Sequence, residues 1–268
     1  HPDLDLETFF TQKLENGLLK SWKQTLAGLH LKDRHKGKRC FLIGNGPSLT
    51  VEDLELLKDE ITFAANRIYM LFDKTTWRPT YYFCVDYYGY SSDHRKIDRM
   101  EAALKFVPVE NAMAAGEIYK GISYYNRVVS CVEDTHEKSG SGKAPKFSCD
   151  AETVVYDGRT VLYDAIQWAV YMGFSEIYLL GVDGAYKFEA LENGTVIETD
   201  YKKSHFDASY EEGLDKIAPE VYAMHAAFQK AKEICEPMGI TIKNATRGGK
   251  LEVFARISLE ALIKTQGD

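Results

Sequence analysis

Four short runs of this chain are almost wholly apolar, and each ends on an asparagine or an aspartate. Cys40 to Ile43 runs into Gly44-Asn45, Ile61 to Ala65 into Asn66, Tyr81 to Val85 into Asp86, and Ile177 to Val182 into Asp183. A strand with one wet face alternates apolar and polar residues, so runs without alternation belong to a sheet covered on both faces. Helical patterns separate several of these runs, which makes the class α/β with a mostly parallel sheet and helices on both faces. In such sheets ligands sit outside the carboxyl ends of the strands. Asn45, Asn66, Asp86 and Asp183 would then share one edge. Asn and Asp also favour turns for local reasons, but the repetition at four strand ends favours a ligand site.

The first of these ends is the most specific. Arg39-Cys-Phe-Leu-Ile-Gly-Asn-Gly-Pro-Ser-Leu-Thr50 is a strand, a tight glycine turn and a helix start. That arrangement brings backbone N–H groups and a helix N-terminus against a phosphate. Gly44 and Gly46 are expected at positive φ, open to close approach by a ligand. Pro47 fixes φ at the helix entrance, and Thr50 with Asp53 forms a capping box for a helix over 51–58. The turn is not G-x-G-x-x-G, since the third glycine is missing, and no Gly-Lys-Ser/Thr follows to make a Walker loop.

Elsewhere the spacing of Leu6, Phe9, Phe10, Leu14, Leu18, Leu19, Trp22 and Leu26 predicts one or two amphipathic helices packed on the main body or on a partner, an N-terminal helical extension over residues 1–36. Residues 32–39 look like a basic, solvated linker. Weaker strands are expected at 105–109 and 127–132, and a mobile loop at 133–150, where Ser139-Gly-Ser-Gly-Lys143 is a poor phosphate-loop match. Helices follow at 160–172, stopped by Gly173, and at 219–236, where His225 is expected to pack. A last strand covers 240–243. Residues 184–216 show no periodicity, and long loops of this kind commonly serve as lids. The main domain therefore covers 37–268, with the lid inside it.

Composition narrows the partners. A net charge of −7 argues against nucleic acid, whose backbone needs a basic stripe. The five cysteines are scattered, so neither a disulfide framework nor a zinc site is expected, and Cys40, Cys84 and Cys131 are expected as buried fillers. No apolar run approaches the roughly 18 residues of a membrane span. A cytoplasmic location, peripheral to the inner membrane face, follows as an expectation. The sequence starts at His1 rather than Met, as a fragment would, so an additional domain or a homo-oligomer is compatible with it. A metal-held phosphate site would show Asp-x-Asp after an apolar strand, but that triplet occurs only at Asp3-Leu4-Asp5. No obligatory metal or other cofactor is expected.

Leu42-Ile-Gly-Asn-Gly-Pro-Ser-Leu49, Ala65-Asn66, and Tyr163 through Met172-Gly-Phe-Ser-Glu-Ile-Tyr-Leu-Leu-Gly-Val-Asp183 resemble the bacterial sialyltransferases of glycosyltransferase family 42. They also resemble the wider superfamily that joins those enzymes to motility-associated flagellin glycosyltransferases and to hydroxymethylpterin diphosphokinase-like proteins. The resemblance spans about residues 39–260. It implies a Rossmann-like fold, a CMP-activated nine-carbon sugar acid as donor, inversion at the anomeric carbon and no metal. By the same resemblance Gly44, Asn45, Gly46, Pro47 and Ser48 line the donor site, with Asn66 and Thr160 beside them. Asp86 stands where the sialyltransferases have Asn. Their Ser is Val161 here and their Arg is displaced to Arg159, which leaves the base and the sugar carboxylate open.

Transfer needs a base for the acceptor hydroxyl and a partner for the departing phosphate. The family uses a loop His and tyrosines, so His205 in Ser204-His-Phe206 is the expected base, with a ring that titrates near neutrality. Tyr186 and Tyr210 are expected to hydrogen-bond the phosphate, and Asp207 to orient His205 or the acceptor. The expected activity is transfer of a sugar, a nonulosonic acid from a CMP donor, to a glycan or surface-polymer acceptor in polysaccharide biosynthesis. The alternatives are an ATP-dependent hydroxymethylpterin diphosphokinase-like enzyme using Mg²⁺ between Asp86 and Asp183, and a non-catalytic nucleotide-binding module of a larger synthase.

Overall fold

The computed structural model describes residues 26–115, 118–128, 145–210, 212 and 218–264. Its centre is a seven-stranded sheet in which every pair is parallel. The strands are β1 (Arg39–Ile43), β2 (Thr62–Ala65), β3 (Tyr81–Phe83), β4 (Leu104–Pro108), β5 (Ser123–Tyr125), β8 (Glu176–Leu180) and β11 (Thr241–Asn244), in the order β11-β8-β1-β2-β3-β4-β5. Two short strands, β6 (Arg127–Val128) and β7 (Val155–Tyr156), pair separately. The order steps one way from β1 to β5 and the other way to β8 and β11. Right-handed crossovers therefore put the two sets of helices on opposite faces, and a crevice opens at the reversal between β1 and β8.

The helices are α1 (Val51–Leu56), α2 (Tyr87–Arg99), α3 (Val109–Ala115), α4 (Val161–Tyr171), α5 (Val221–Cys235) and α6 (Leu259–Lys264). The capping box that opens α1 is present on Thr50 and Asp53. Helix α4 is buried from Leu162 to Tyr171, so its surface has no wet stripe, and it runs through the core. Residues Phe63, Phe83, Phe106 and Trp168 continue from strand to strand onto α4, with successive ring centroids 5.8, 4.9 and 4.8 Å apart. Offset and tilted rings at these separations add to the area they bury.

Several expectations change. The described part of the expected 127–132 strand is β6, which lies outside the main sheet, and the sheet edge is β5, whose Ser-Tyr-Tyr carries too little aliphatic signal to stand out. Residues 129–144, with the Ser-Gly-Ser-Gly-Lys stretch and Cys131, lie outside the described residues, as do 1–25 of the N-terminal extension. Its described end is not a free linker. Leu26 and Leu31 are buried, and the N–H groups of Asp33, His35 and Gly37 donate to the carbonyls of Tyr171, Met172 and Gly173 at the C-terminus of α4. Lys32, Arg34, Lys36 and Lys38 stay exposed, so the charge pattern described the side chains and missed the backbone clasp. The 184–216 segment is not featureless either. It holds a hairpin, β9 (Phe188–Ala190) with β10 (Val196–Glu198), turned at Asn193-Gly194 with Gly194 at φ 79°. That Asn-Gly pair was the available signal.

Among the described residues no helix is long and apolar enough to cross a membrane. Cys40 and Cys84 are buried thiols, as is Cys235, while Cys149 is exposed.

Candidate functional site

A cavity of about 490 Å³ opens at the reversal between β1 and β8. It gathers Gly44, Asn45, Gly46, Asn66, Asp86, Arg159, Thr160, Asp183, Tyr186, His205 and Tyr210 from elements far apart in the chain. Pro47, Ser48 and Asp207 do not line it.

The glycine turn works differently from the expectation. Neither Gly44 nor Gly46 has positive φ. They are glycines because the β8 loop crosses directly over them. A Cβ on Gly44 would run into the Gly181 carbonyl, and one on Gly46 into the Asp183 carboxylate. The Gly44 and Gly46 N–H groups donate to Leu180 and Gly181 oxygens at 2.8 and 2.9 Å, so these donors already have partners. Ser48 Oγ donates to Asp183 Oδ2 at 2.7 Å. Its hydroxyl ties the two loops together and does not face the cavity. Burial raises the Asp183 carboxyl, and the Ser48 hydrogen bonds oppose that rise.

The helix aimed at the cavity is α4, not α1. Thr160, Val161 and Leu162 line the wall, and Thr160 caps α4 by accepting from the Leu162 N–H. The positive end of the peptide dipoles in α4 thus meets the cavity. Thr160 is thus on the cavity wall, and the helix end that faces the cavity is that of α4 rather than that of the helix after the glycine turn. Beside it Arg159 sits at φ 60°, a left-handed conformation that costs a non-glycine residue about 1 kcal/mol or more. Its guanidinium lies 2.8 Å from Glu220 and 3.9 Å from Asp157. Arg127, missed from the sequence, joins this end of the cavity, pairing with Asp157 at 2.5 Å and the buried Asp164 at 2.9 Å.

Asn45 and Asn66 supply the floor. Asn45 Nδ2 donates to Ala65 O and to Tyr210 Oη, both at 2.9 Å, and this leaves Oδ1 buried without a donor. Asn66, at φ 49°, likewise holds a buried Oδ1 without a partner. An unmatched buried acceptor costs about 1–3 kcal/mol, so two of them in one cavity call for hydrogen-bond donors from a ligand.

Residues 184–210 fold over this floor. The Phe206 N–H donates to Asn45 O at 3.0 Å, and Arg67 Nη1 donates to the carbonyls of Tyr210 and Glu212, both at 2.7 Å. Arg67, a second residue the sequence did not disclose, is itself held by Asp93 at 3.1 Å. The His205 ring lies flat on the Tyr210 ring with centroids 3.9 Å apart, and Tyr186 meets it edge-on at 6.2 Å. Burial pushes the Tyr186 phenol up to about 12 and the Tyr210 phenol further, so both stay protonated at neutral pH. Tyr210 Oη accepts from Asn45, which leaves its own proton to donate. Asp207 is turned to Ser209 N and Oγ at 2.9 and 2.7 Å, with Lys74 at 3.8 Å. Asp86 caps α2 by accepting from the Gly89 N–H at 3.0 Å.

Helix α5 closes the far wall with Val221, Met224, His225 and Phe228. These positions follow i, i+3, i+4, i+7 spacing and pass for a core stripe, which is why His225 looked like a packing residue. It lines the cavity, and its Nε2 is buried without a partner. Among the described residues no group of three or more His, Cys, Asp or Glu is placed to hold a metal ion.

A family model described as 6-hydroxymethylpterin diphosphokinase MptE-like matches residues 16–189. No curated protein sequence matches the chain. Among solved structures, the MAf glycosyltransferase from Magnetospirillum magneticum AMB-1 is similar at 15% identity and a TM-score of 0.51, over 88% of this chain. This chain spans only 37% of that protein's length. The sialyltransferase CstII from Campylobacter jejuni, in complex with the substrate analogue cytidine-5'-monophosphate, is similar at 15% identity and a TM-score of 0.50, over 83% of this chain and 86% of that one. At such identity the likeness is one of fold, Rossmann-like and glycosyltransferase-like.

Proposed function

The chain belongs to the 6-hydroxymethylpterin diphosphokinase MptE-like family, and from its glycosyltransferase-like fold we propose that it transfers a sugar from a nucleotide donor. The donor is a CMP-activated nonulosonic acid, the acceptor is a hydroxyl of a glycan or surface polymer, the anomeric carbon inverts, and no metal is required.

The observation that carries this reading is the pair of unmatched amide oxygens on Asn45 and Asn66 at the crevice floor. A nucleoside offers the donors they lack, in ribose hydroxyls and the cytosine amino group. Its phosphate would lie near the start of α4 and the phenols of Tyr186 and Tyr210, which remain protonated and can donate to it. In the step itself the acceptor oxygen bonds to the anomeric carbon as the bond from that carbon to the phosphate oxygen breaks. His205 takes the acceptor proton, and the phenols stabilise the charge that develops on the departing phosphate.

CMP release from CMP-N-acetylneuraminate, with calorimetric titration of CMP, tests the reading. His205→Gln should lower transfer by about 10²-fold or more while CMP affinity changes little. If the protein neither binds any cytidine nucleotide nor releases CMP from a CMP-sugar, the donor assignment is wrong.

The family description favours a second reading, diphosphoryl transfer from ATP to a pterin-like alcohol. Asp86 and Asp183 both line the cavity and would hold Mg²⁺ in that case. A thermal-shift screen of CMP, CDP, UDP, GDP and ATP, each with and without Mg²⁺, separates the two. A Mg²⁺-dependent preference for ATP, with activity lost on chelation, would establish the second.

A further inference from the structure

The His205, Tyr186 and Tyr210 side chains have cavity on both sides. A second chamber of about 630 Å³ adjoins the first and shares these three residues with it, together with Asn66, Asp86 and Ser204. Its remaining wall is unlike the nucleotide side. Tyr88, Phe188 and Val196 present large apolar surface at 44, 44 and 56% exposure, and Lys187, Lys202 and Lys203 stand among them.

This wall carries three lysines, Lys187, Lys202 and Lys203, and two carboxylates, Asp86 and Asp207. Lys187 lies 3.6 Å from Glu198 and its ammonium rests over the Phe188 ring. Asp207 is turned to Ser209 and Lys74, and Asp86 caps α2. Lys202 and Lys203 are exposed, and among the described residues neither has a carboxylate partner. Two adjacent ammonium groups without a carboxylate partner among the described residues, in a concave, aromatic-lined space with three lysines against two carboxylates, make a locally cationic stretch on a chain of net charge −7.

We propose that this second chamber is the acceptor site and that it selects an anionic saccharide, one carrying a phosphate or a carboxylate. The assignment rests on the transferase reading for its role in the reaction. Tyr88 and Phe188 receive the apolar face of a sugar ring, Lys202 and Lys203 take the anionic group, and the reacting hydroxyl points at the partition where His205 stands.

The test is ligand-observed NMR titration of the whole chain without nucleotide. The probes are N-acetylglucosamine, N-acetylglucosamine 6-phosphate, glucuronic acid and inorganic phosphate. The two acidic sugars are expected to bind about tenfold more tightly than the neutral one, with a preference that shrinks as salt rises. Lys202→Ala with Lys203→Ala should bring acidic and neutral probes within about twofold of each other. Tyr88→Ala should weaken neutral and acidic sugars alike. These side chains are exposed, and a thermal melt reports whether each variant is folded. Equal binding of neutral and acidic sugars, or a preference that survives the double substitution, overturns the proposal. Inorganic phosphate binding as well as the sugar phosphate overturns the saccharide assignment. Because no nucleotide is present, acidic-sugar selectivity in a protein that ignores CMP would keep this proposal and sink the donor reading.

Discussion

Gly46 shows how little room a single residue has at this site. Its missing side chain is what lets the Asp183 carboxylate reach Ser48, and an alanine there would overlap that carboxylate. Gly46→Ala should therefore destabilise the fold by about 1–3 kcal/mol, as overpacking usually does, and lower the urea midpoint at unchanged m-value. Gly194→Ala is the contrast, since nothing lies within 4 Å of its Cβ and only its φ of 79° opposes substitution. That strain should cost about 1 kcal/mol. A Gly46→Ala midpoint equal to wild type would mean the two loops do not cross as described. Asn45 has a double duty, holding Ala65 and Tyr210 with its amide nitrogen while its oxygen waits for a donor. Asn45→Ala should cost CMP affinity and stability together, read by calorimetry and thermal melt on one sample.

At the scale of the element, the 184–216 segment is held over the crevice by a few hydrogen bonds and by stacked rings. Arg67 provides two of those bonds from the short helical turn after β2. Arg67→Ala should raise amide exchange over residues 204–210 about tenfold or more while strands β1 and β8 keep their protection, measured by hydrogen exchange with mass spectrometry. Uniform loss of protection would mean Arg67 supports the core and not this segment. The same element explains why its order was hard to foresee. The β9–β10 strands are three residues each and none of their residues is fully buried, so they carry no buried face for periodicity to reveal. Helix α4 was legible from its largely apolar run, broken only by Asp164 and Gln167, and from its Gly173 stop, but nothing in that pattern says which cavity its first turn meets.

For the molecule as a whole, stability should depend on pH through His35, which joins the N-terminal segment to the core. Its Nε2 lies 2.6 Å from Tyr81 Oη and its ring stacks on Phe174 at 4.8 Å. Burial, helped by Arg34 and Lys38, lowers its pKa from 6.5 to about 4. Between those values the unfolded chain binds the extra proton and the folded chain does not, so stability is full above 6.5 and falls as pH drops toward 4. Glu110, raised to about 7 by burial, acts in the opposite sense, because its folded form keeps a proton that the unfolded form has lost. Comparing wild type with His35→Gln removes the Glu110 contribution from the difference. Urea midpoints from pH 7.5 to 4.5 should fall less steeply for the variant, and parallel curves would remove His35 as the cause.

The amino-acid order alone carried the class of the fold, the strand ends and the residues that gather there, because these depend on local periodicity and on turn chemistry within a few positions. Asn45, Asn66, Thr160, Tyr186, His205 and Tyr210 were all legible in that way or by resemblance, and the cavity brings them together. What only the tertiary structure decided lies in partners far apart in sequence. Ser48 meets Asp183 across 135 residues, Arg67 meets Tyr210 across 143, and Asn45 meets Tyr210 across 165. No local pattern encodes such pairs. They exist because a sheet that reverses direction at β1 brings the β1 and β8 loops to one place, and close packing there dictates glycine, frees two amide oxygens and leaves room for a chamber on each side of one histidine.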